Sequence, residues 1–392
     1  MDMNTRHNVL LVLCTACVVL GPVSVTRAIP PDPDNAALVY YQALLATPHL
    51  DGEARSALFG FGRGEAELTD QIADSIEKCR VAIGYAIDAG KMQHCNWGLR
   101  FSKGFSLGMP HLAPVRFLTH AVLADARILA AGGATREAFE RCLTVKRMGR
   151  HLDEEVLISL LVGIAVDGAA NGCIRDLLGL VDADAETLRW LRAELAVFAD
   201  KTSSLVRALE YERDIALEMM CPEKIDQLVD ALRGSEAEIS AEELAKMDEA
   251  FLARSRQHYS DHIDAMRAVL AGPGGYEVRY RKLTELAEQL GQVAAQDETA
   301  AIAAEVAPGL NKVYAVQIRG QAKAYATSAA VELYLAKVTT GRLPAELPAD
   351  LPKDPYTGRH FGYELTDTGF VLRCGAKDPV KDIVHEFPLL VK

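Results

Sequence analysis

The sequence predicts a mainly α protein: a solenoid-like stack of helix hairpins, tetratricopeptide-like in part, with a small C-terminal α+β unit containing a β-hairpin. Three observations carry this. Apolar residues recur every three or four positions over most of the chain, as in Ile72, Ile76, Cys79, Ile83 and Ile87. Two helical stretches meet at Gly132-Gly133, a tight hairpin connection. After Gly341 the period switches from three-to-four to two, with Phe361, Tyr363 and Leu365 alternating with polar residues and Phe370 and Leu372 following.

The elements follow in order. Residues 1–28 read as a signal peptide: Arg6 and His7 precede the apolar run Val9 to Leu20, Gly21-Pro22 ends it, and Thr26-Arg27-Ala28 offers a cleavage site. The run is short for a membrane span. Cys17 after Thr15-Ala16 offers a lipoprotein alternative, with Cys14 where Leu is wanted. No later segment reads as apolar enough to span a membrane. Residues 29–310 form a helical domain and residues 311–392 a C-terminal helix plus hairpin unit. Asp34-Asn35 opens the first helix. Residues 91–113, broken by Gly98, Gly104, Gly108 and Pro110, form a long loop, and 115–131 pairs with 135–150. Residues 154–178 are apolar on most sides and predict a central helix. Glu236 to Leu270 is charged with a thin apolar stripe, Gly272-Pro273-Gly274-Gly275 is the strongest hinge signal, and helices over 278–305 and 311–339 complete the helical part.

Composition narrows the function. The chain has 392 residues, 49% hydrophobic and 24% charged, so a packed core is expected. A net charge of −12 argues against nucleic acid as a partner. Outside the signal, six cysteines remain: Cys79, Cys95, Cys142, Cys173, Cys221 and Cys374. An exported protein can oxidise them. Cys79 with Cys95 has a geometric case, because a chain turning back at Gly90 spans the needed distance in five residues. Buried free thiols are the plain alternative.

Chemistry-bearing clusters are few. His94, Cys95, Trp97 and His111 gather two imidazoles, a thiol and one of two tryptophans around the long loop. They form either a pocket wall or metal site, or a Trp plug under the loop; the plug is the favoured reading, and the loop is the first choice for any site. His258 and His262 have the i, i+4 spacing of a zinc pair. Tyr259 stands where a zincin needs Glu, so a solvated helix face is favoured. Glu210, Glu212, Arg213 and Asp214 read as ion pairs before they read as acid–base machinery. No nucleophile elbow, phosphate loop or dinucleotide fingerprint occurs, so no cofactor is called for.

Two regions resemble known families. Gly341-Arg342-Leu343-Pro344, Asp354-Pro355-Tyr356-Thr357-Gly358 and the hairpin resemble the tail of type II secretion pseudopilins. The pseudopilin processing site is missing, and Gly375-Ala376-Lys377-Asp378 does not make the Asp-rich calcium loop some of them carry. The stretch from Cys95-Asn96-Trp97 through Pro110-His111-Leu112 to Lys146–Leu152 and Leu160–Ala165 resembles a family of uncharacterised bacterial exported helical proteins. That resemblance implies a fold and a compartment, without an activity. The function expected is a non-catalytic exported scaffold or partner-binding protein of unknown specificity, periplasmic or held at the cell envelope, whose partner is another envelope protein. The alternatives are a hydrolase or metal-dependent enzyme using the 94–112 loop, and a divergent secretion component.

Overall fold

In the computed structural model, two antiparallel helix contacts set the middle of the molecule. The structure describes residues 32–152, 156–198, 204–233 and 247–391, so the expected signal peptide and its two cysteines, the break near Thr202 and the start of the 236–270 stretch lie outside the described residues. The chain divides into Met1–Asp34 and Asn35–Lys392, and every element below belongs to the second unit.

The helices are α1 (Ala36–Leu45), α2 (Gly52–Arg63), α3 (Asp70–Lys78), α4 (Arg80–Lys91), α5 (Leu112–Ala131), α6 (Thr135–His151), α7 (Leu157–Leu180), α8 (Ala185–Ala196), α9 (Ser204–Met219), α10 (Ile225–Arg233), α11 (Glu249–Ala271), α12 (Tyr276–Ala294), α13 (Glu298–Val306) and α14 (Leu310–Thr340). Side-chain caps start many of them. Asn35, Asp51, Thr69, Asp184, Asp248 and Asp297 each accept a hydrogen bond from a first-turn amide, satisfying a donor the helix itself leaves open. The stripe through Cys79 is almost one helix: Ile83 N still donates to Cys79 O, and only a local turn at Cys79 separates α3 from α4. Pro114 falls inside the first turn of α5, where a proline costs no helical hydrogen bond.

Helices α5, α6 and α7 pack as consecutive neighbours, the stacked hairpins the periodicity predicts. The close approach of α6 and α7 depends on a glycine. A Cβ at Gly149 would sit 3.0 Å from the Gly163 carbonyl oxygen. Helix α14 returns across 130 residues of sequence to cover α7 and α8. The 311–392 segment therefore shares its core with the preceding helices, and Gly272–Gly275 is a surface connection between α11 and α12 within the same unit, held by Arg279 Nη2 donating to Gly272 O (2.9 Å).

Helix α7 corrects one expectation. It is long and apolar enough to cross a membrane, the only such helix among the described residues. It is packed against α5, α6 and α14 and against the C-terminal sheet, and it carries Asp167, Asn171, Arg175 and Asp176. These are the surroundings of the buried central helix that its all-round apolarity predicted.

Gly341, at φ 80°, ends α14 in the left-handed conformation that favours glycine. The tail then forms an antiparallel sheet in the order β1 (Gly362–Thr366), β2 (Gly369–Asp378), β3 (Ile383–Leu390). The expected hairpin closes with Thr366 opposite Gly369 across the two-residue loop Asp367-Thr368. The third strand extends it. Phe370, Leu372, Phe387 and Leu389 are buried. The tail's turn motif is knotted to this sheet: the buried Asp354 carboxylate accepts from Tyr356 N (3.0 Å), Thr357 Oγ1 (2.8 Å) and Gly375 N (2.8 Å).

Candidate functional site

The loop chosen from sequence divides into a packed part and an exposed part. Trp97 is 3% exposed and His111 is 1% exposed. Their rings stack at 4.2 Å and 15°, and Trp97 also stacks on Tyr40 at 5.4 Å. Trp97 Nε1 donates to His151 O (2.8 Å), and the Tyr40 hydroxyl bonds His151 Nδ1 at 2.9 Å. Burial pushes His111 down to about 4, so its imidazole is neutral near pH 7. Neither ring nitrogen of His111 has a hydrogen-bond partner. The pair plugs the space under the loop, the favoured reading of the sequence.

His94 and Cys95 stand apart from that plug. His94 is exposed, and its carbonyl accepts from Ala36 N (2.8 Å) while Asn35 and Asn96 exchange hydrogen bonds beside it. These bonds tie the loop to the start of α1. The chain therefore does not run back along α4, and Cys95 stays beside Gly90, the end of α4 remote from Cys79. The expected Cys79–Cys95 bridge is not formed. His94 and Cys95 instead line an open polar cleft with Lys91, Arg147, Arg150, His151 and Glu194. Arg147 spans it, bonded to Glu140 (2.7 Å) and Glu194 (3.0 Å).

The other candidates resolve into structure. His258 bonds Asp297 Oδ2 at 3.2 Å, whereas His262 and Tyr259 are 7% and 1% exposed. That helix face is therefore packed and not solvated, because α11 lies against α9 and α13. Glu212 Oε1 accepts from Leu157 N (3.1 Å), capping the first turn of α7 as the macrodipole favours, and burial raises its carboxyl. Arg213 pairs with Asp264, and Glu210 with Arg267. Among the described residues no group of three His, Cys, Asp or Glu side chains is placed to hold a metal ion.

A second cavity, about 290 Å³, was not anticipated. It lies between α6, α7, α8 and α14, with residues 350–352 at one edge. Leu160, Ile164, Leu195, Phe198 and Val331 make its apolar wall. At its inner end Lys146, 2% exposed, donates to Asp167 Oδ1 (2.7 Å) and Asn171 Oδ1 (3.1 Å). Asn171 Nδ2 closes the triad on Asp167 Oδ2 (2.7 Å), and the Lys146 ammonium lies 5.1 Å from the Phe198 ring centroid. Arg192 and Glu332 also line the cavity and pair at 3.5 Å, both part-exposed. Gln317, Gln321, Tyr325 and Ser328 present one face of α14 to it, at spacings of one to three turns. A mostly apolar cavity with a few convergent polar groups is the ordinary form of a small-molecule site.

Compared with known protein families, curated proteins and solved structures, the chain matches none.

Proposed function

We propose that this protein is a non-catalytic binding protein exported to the bacterial cell envelope, holding a compound or a segment of an envelope partner in the cavity between α7, α8 and α14. The observation that carries this reading is the pairing inside the cavity. The lysine and carboxylate that could act on a substrate are bonded to each other and to Asn171, so they hold the wall in place. Apolar surface does the holding, as in a binding site. The charge and apolar pattern of residues 1–28 supports export, and the resemblance of the tail to pseudopilin tails supports a structural cap.

The test is isolation of the whole protein from the envelope fraction of its host, followed by native mass spectrometry. The expected result is a retained compound or envelope protein that is lost in Ala324→Trp, a substitution that fills the cavity. A protein found only in the cytoplasm, or one that turns over a substrate with Lys146 required, contradicts the proposal.

A further inference from the structure

Of the polar side chains that line the cavity between α7, α8 and α14 without a hydrogen bond among the described residues, Gln317 is the buried one. Gln317 lies on the buried face of α14, 8% exposed, and lines the cavity. No described residue hydrogen-bonds its amide. Its amide atoms are not fully enclosed, so a ligand that fills the cavity takes their remaining water and has to replace it with hydrogen bonds of its own. The other buried polar side chains of the lining, Lys146 and Asn171, bond each other and Asp167. Gln321 and Ser328, half-buried, follow Gln317 along the same face of α14.

Charge decides the ligand class. Lys146 and Asp167 cancel at the inner end, and Arg192 and Glu332 cancel further along the wall. A charged ligand entering this space loses its hydration and meets no unpaired counter-ion in the interior, since the one lining charge without a partner among the described residues, Asp350, is exposed at the edge of the cavity, where water screens it. A neutral ligand with a carbonyl, amide or hydroxyl on an apolar body meets the Gln317 amide, which can donate and accept at once. Resting on the binding reading above, we infer that the cavity takes small neutral amphiphiles and that Gln317 is the residue that selects their polar group.

The experiment uses the whole protein and a neutral fluorescent probe, N-phenyl-1-naphthylamine. Bound probe is displaced in turn by hexanamide, hexanoate and hexylammonium, which share a chain and differ in their heads. Hexanamide is expected to displace the probe at a concentration about tenfold lower than the two charged compounds, the worth of about one hydrogen bond made in a dry site. Gln317→Leu is expected to erase most of that advantage while leaving probe affinity within about threefold, because the apolar wall is unchanged. Equal displacement by all three compounds, or an advantage that survives Gln317→Leu, overturns the neutral-ligand inference and leaves the cavity as a binding site. Failure of the probe to bind, or binding that survives Ala324→Trp in protein with wild-type circular dichroism, overturns the binding reading itself.

Discussion

The part of the loop that holds Trp97 and His111 and the inner face of α14 are both built from aromatic and polar side chains, yet one is shut and the other opens on a cavity. Trp97 covers His111 at 4.2 Å and Tyr40 covers Trp97, so these three rings are used as packing. On α14, Gln317 is nearly as buried as His111, but it faces space. The difference teaches that reactive residue types do not mark a site. Stacking turns a histidine into an apolar filler, whereas an amide becomes a recognition group once a cavity leaves it unpaired.

The comparison can be broken most forcefully at the plug. Trp97→Ala is expected to destabilise the protein by about 3–5 kcal/mol, since it removes a large buried ring and its bond to the His151 carbonyl. Chemical denaturation measures it, and a loss under about 1 kcal/mol would show that the loop is not packed as described. Binding of N-phenyl-1-naphthylamine to the folded fraction of that variant should be unchanged.

At the cavity, Lys146→Met is expected to cost about 3 kcal/mol by taking the buried ammonium away from Asp167. Its thermal unfolding midpoint should fall clearly below that of the parent. A midpoint equal to the parent's would mean that the triad does not hold the wall.

The plug also predicts a pH dependence. Burial lowers His111 from 6.5 to about 4, and burial with Arg63 and Arg116 nearby lowers His120 to about 4. Between those values the unfolded chain binds protons that the folded chain refuses, so stability is full above about 6.5, falls as the pH drops toward 4, and levels below it. His111→Phe keeps the stack and removes its share of the fall. Urea titrations at pH 7 and pH 5 measure the difference, and an undiminished slope in His111→Phe would contradict a buried neutral imidazole.

The smallest effect on stability is expected at the residue proposed to matter most for binding. Gln317→Leu should shift stability by less than about 1 kcal/mol, because the amide makes no hydrogen bond to a described residue and the replacement is of similar size. A large loss of stability would place Gln317 in the packing, on the same footing as the loop.

Much of the fold was legible because burial imposes a period. The stripe through Ile72 and Ile83, the hairpin at Gly132-Gly133, the all-round apolar α7 and the tail residues Phe361, Phe370 and Leu372 report which face is covered, whereas Leu365, in step with Phe361, is 48% exposed. The third strand was hidden by Pro388, which reads as a strand breaker. It is tolerated because β3 is an edge strand and its proline needs no partner on the open side. The membrane-like length of α7 was understated because Asp167, Asn171 and Arg175 interrupt the apolar run, and only the fold shows that they face partners on α6 and α14.

The site was less legible. His94, Cys95, Trp97 and His111 draw attention by residue type, and the structure leaves only His94 and Cys95 on an open surface. Gln317, Gln321 and Ser328 carried a signal that goes unnoticed: polar residues at helical spacing on a long helix otherwise rich in alanine. Such a row ordinarily means a solvated face. It means a cavity here because α7 and α8, more than 100 residues earlier, arch over it, and no local pattern encodes that approach.

The central claim, that α7, α8 and α14 enclose a ligand cavity, is tested most directly by titrating the whole protein with N-phenyl-1-naphthylamine beside Ala324→Trp. The account predicts saturable binding of one probe per chain and its loss in the filled variant, with both proteins equally helical. Binding of equal strength in the two proteins would contradict it.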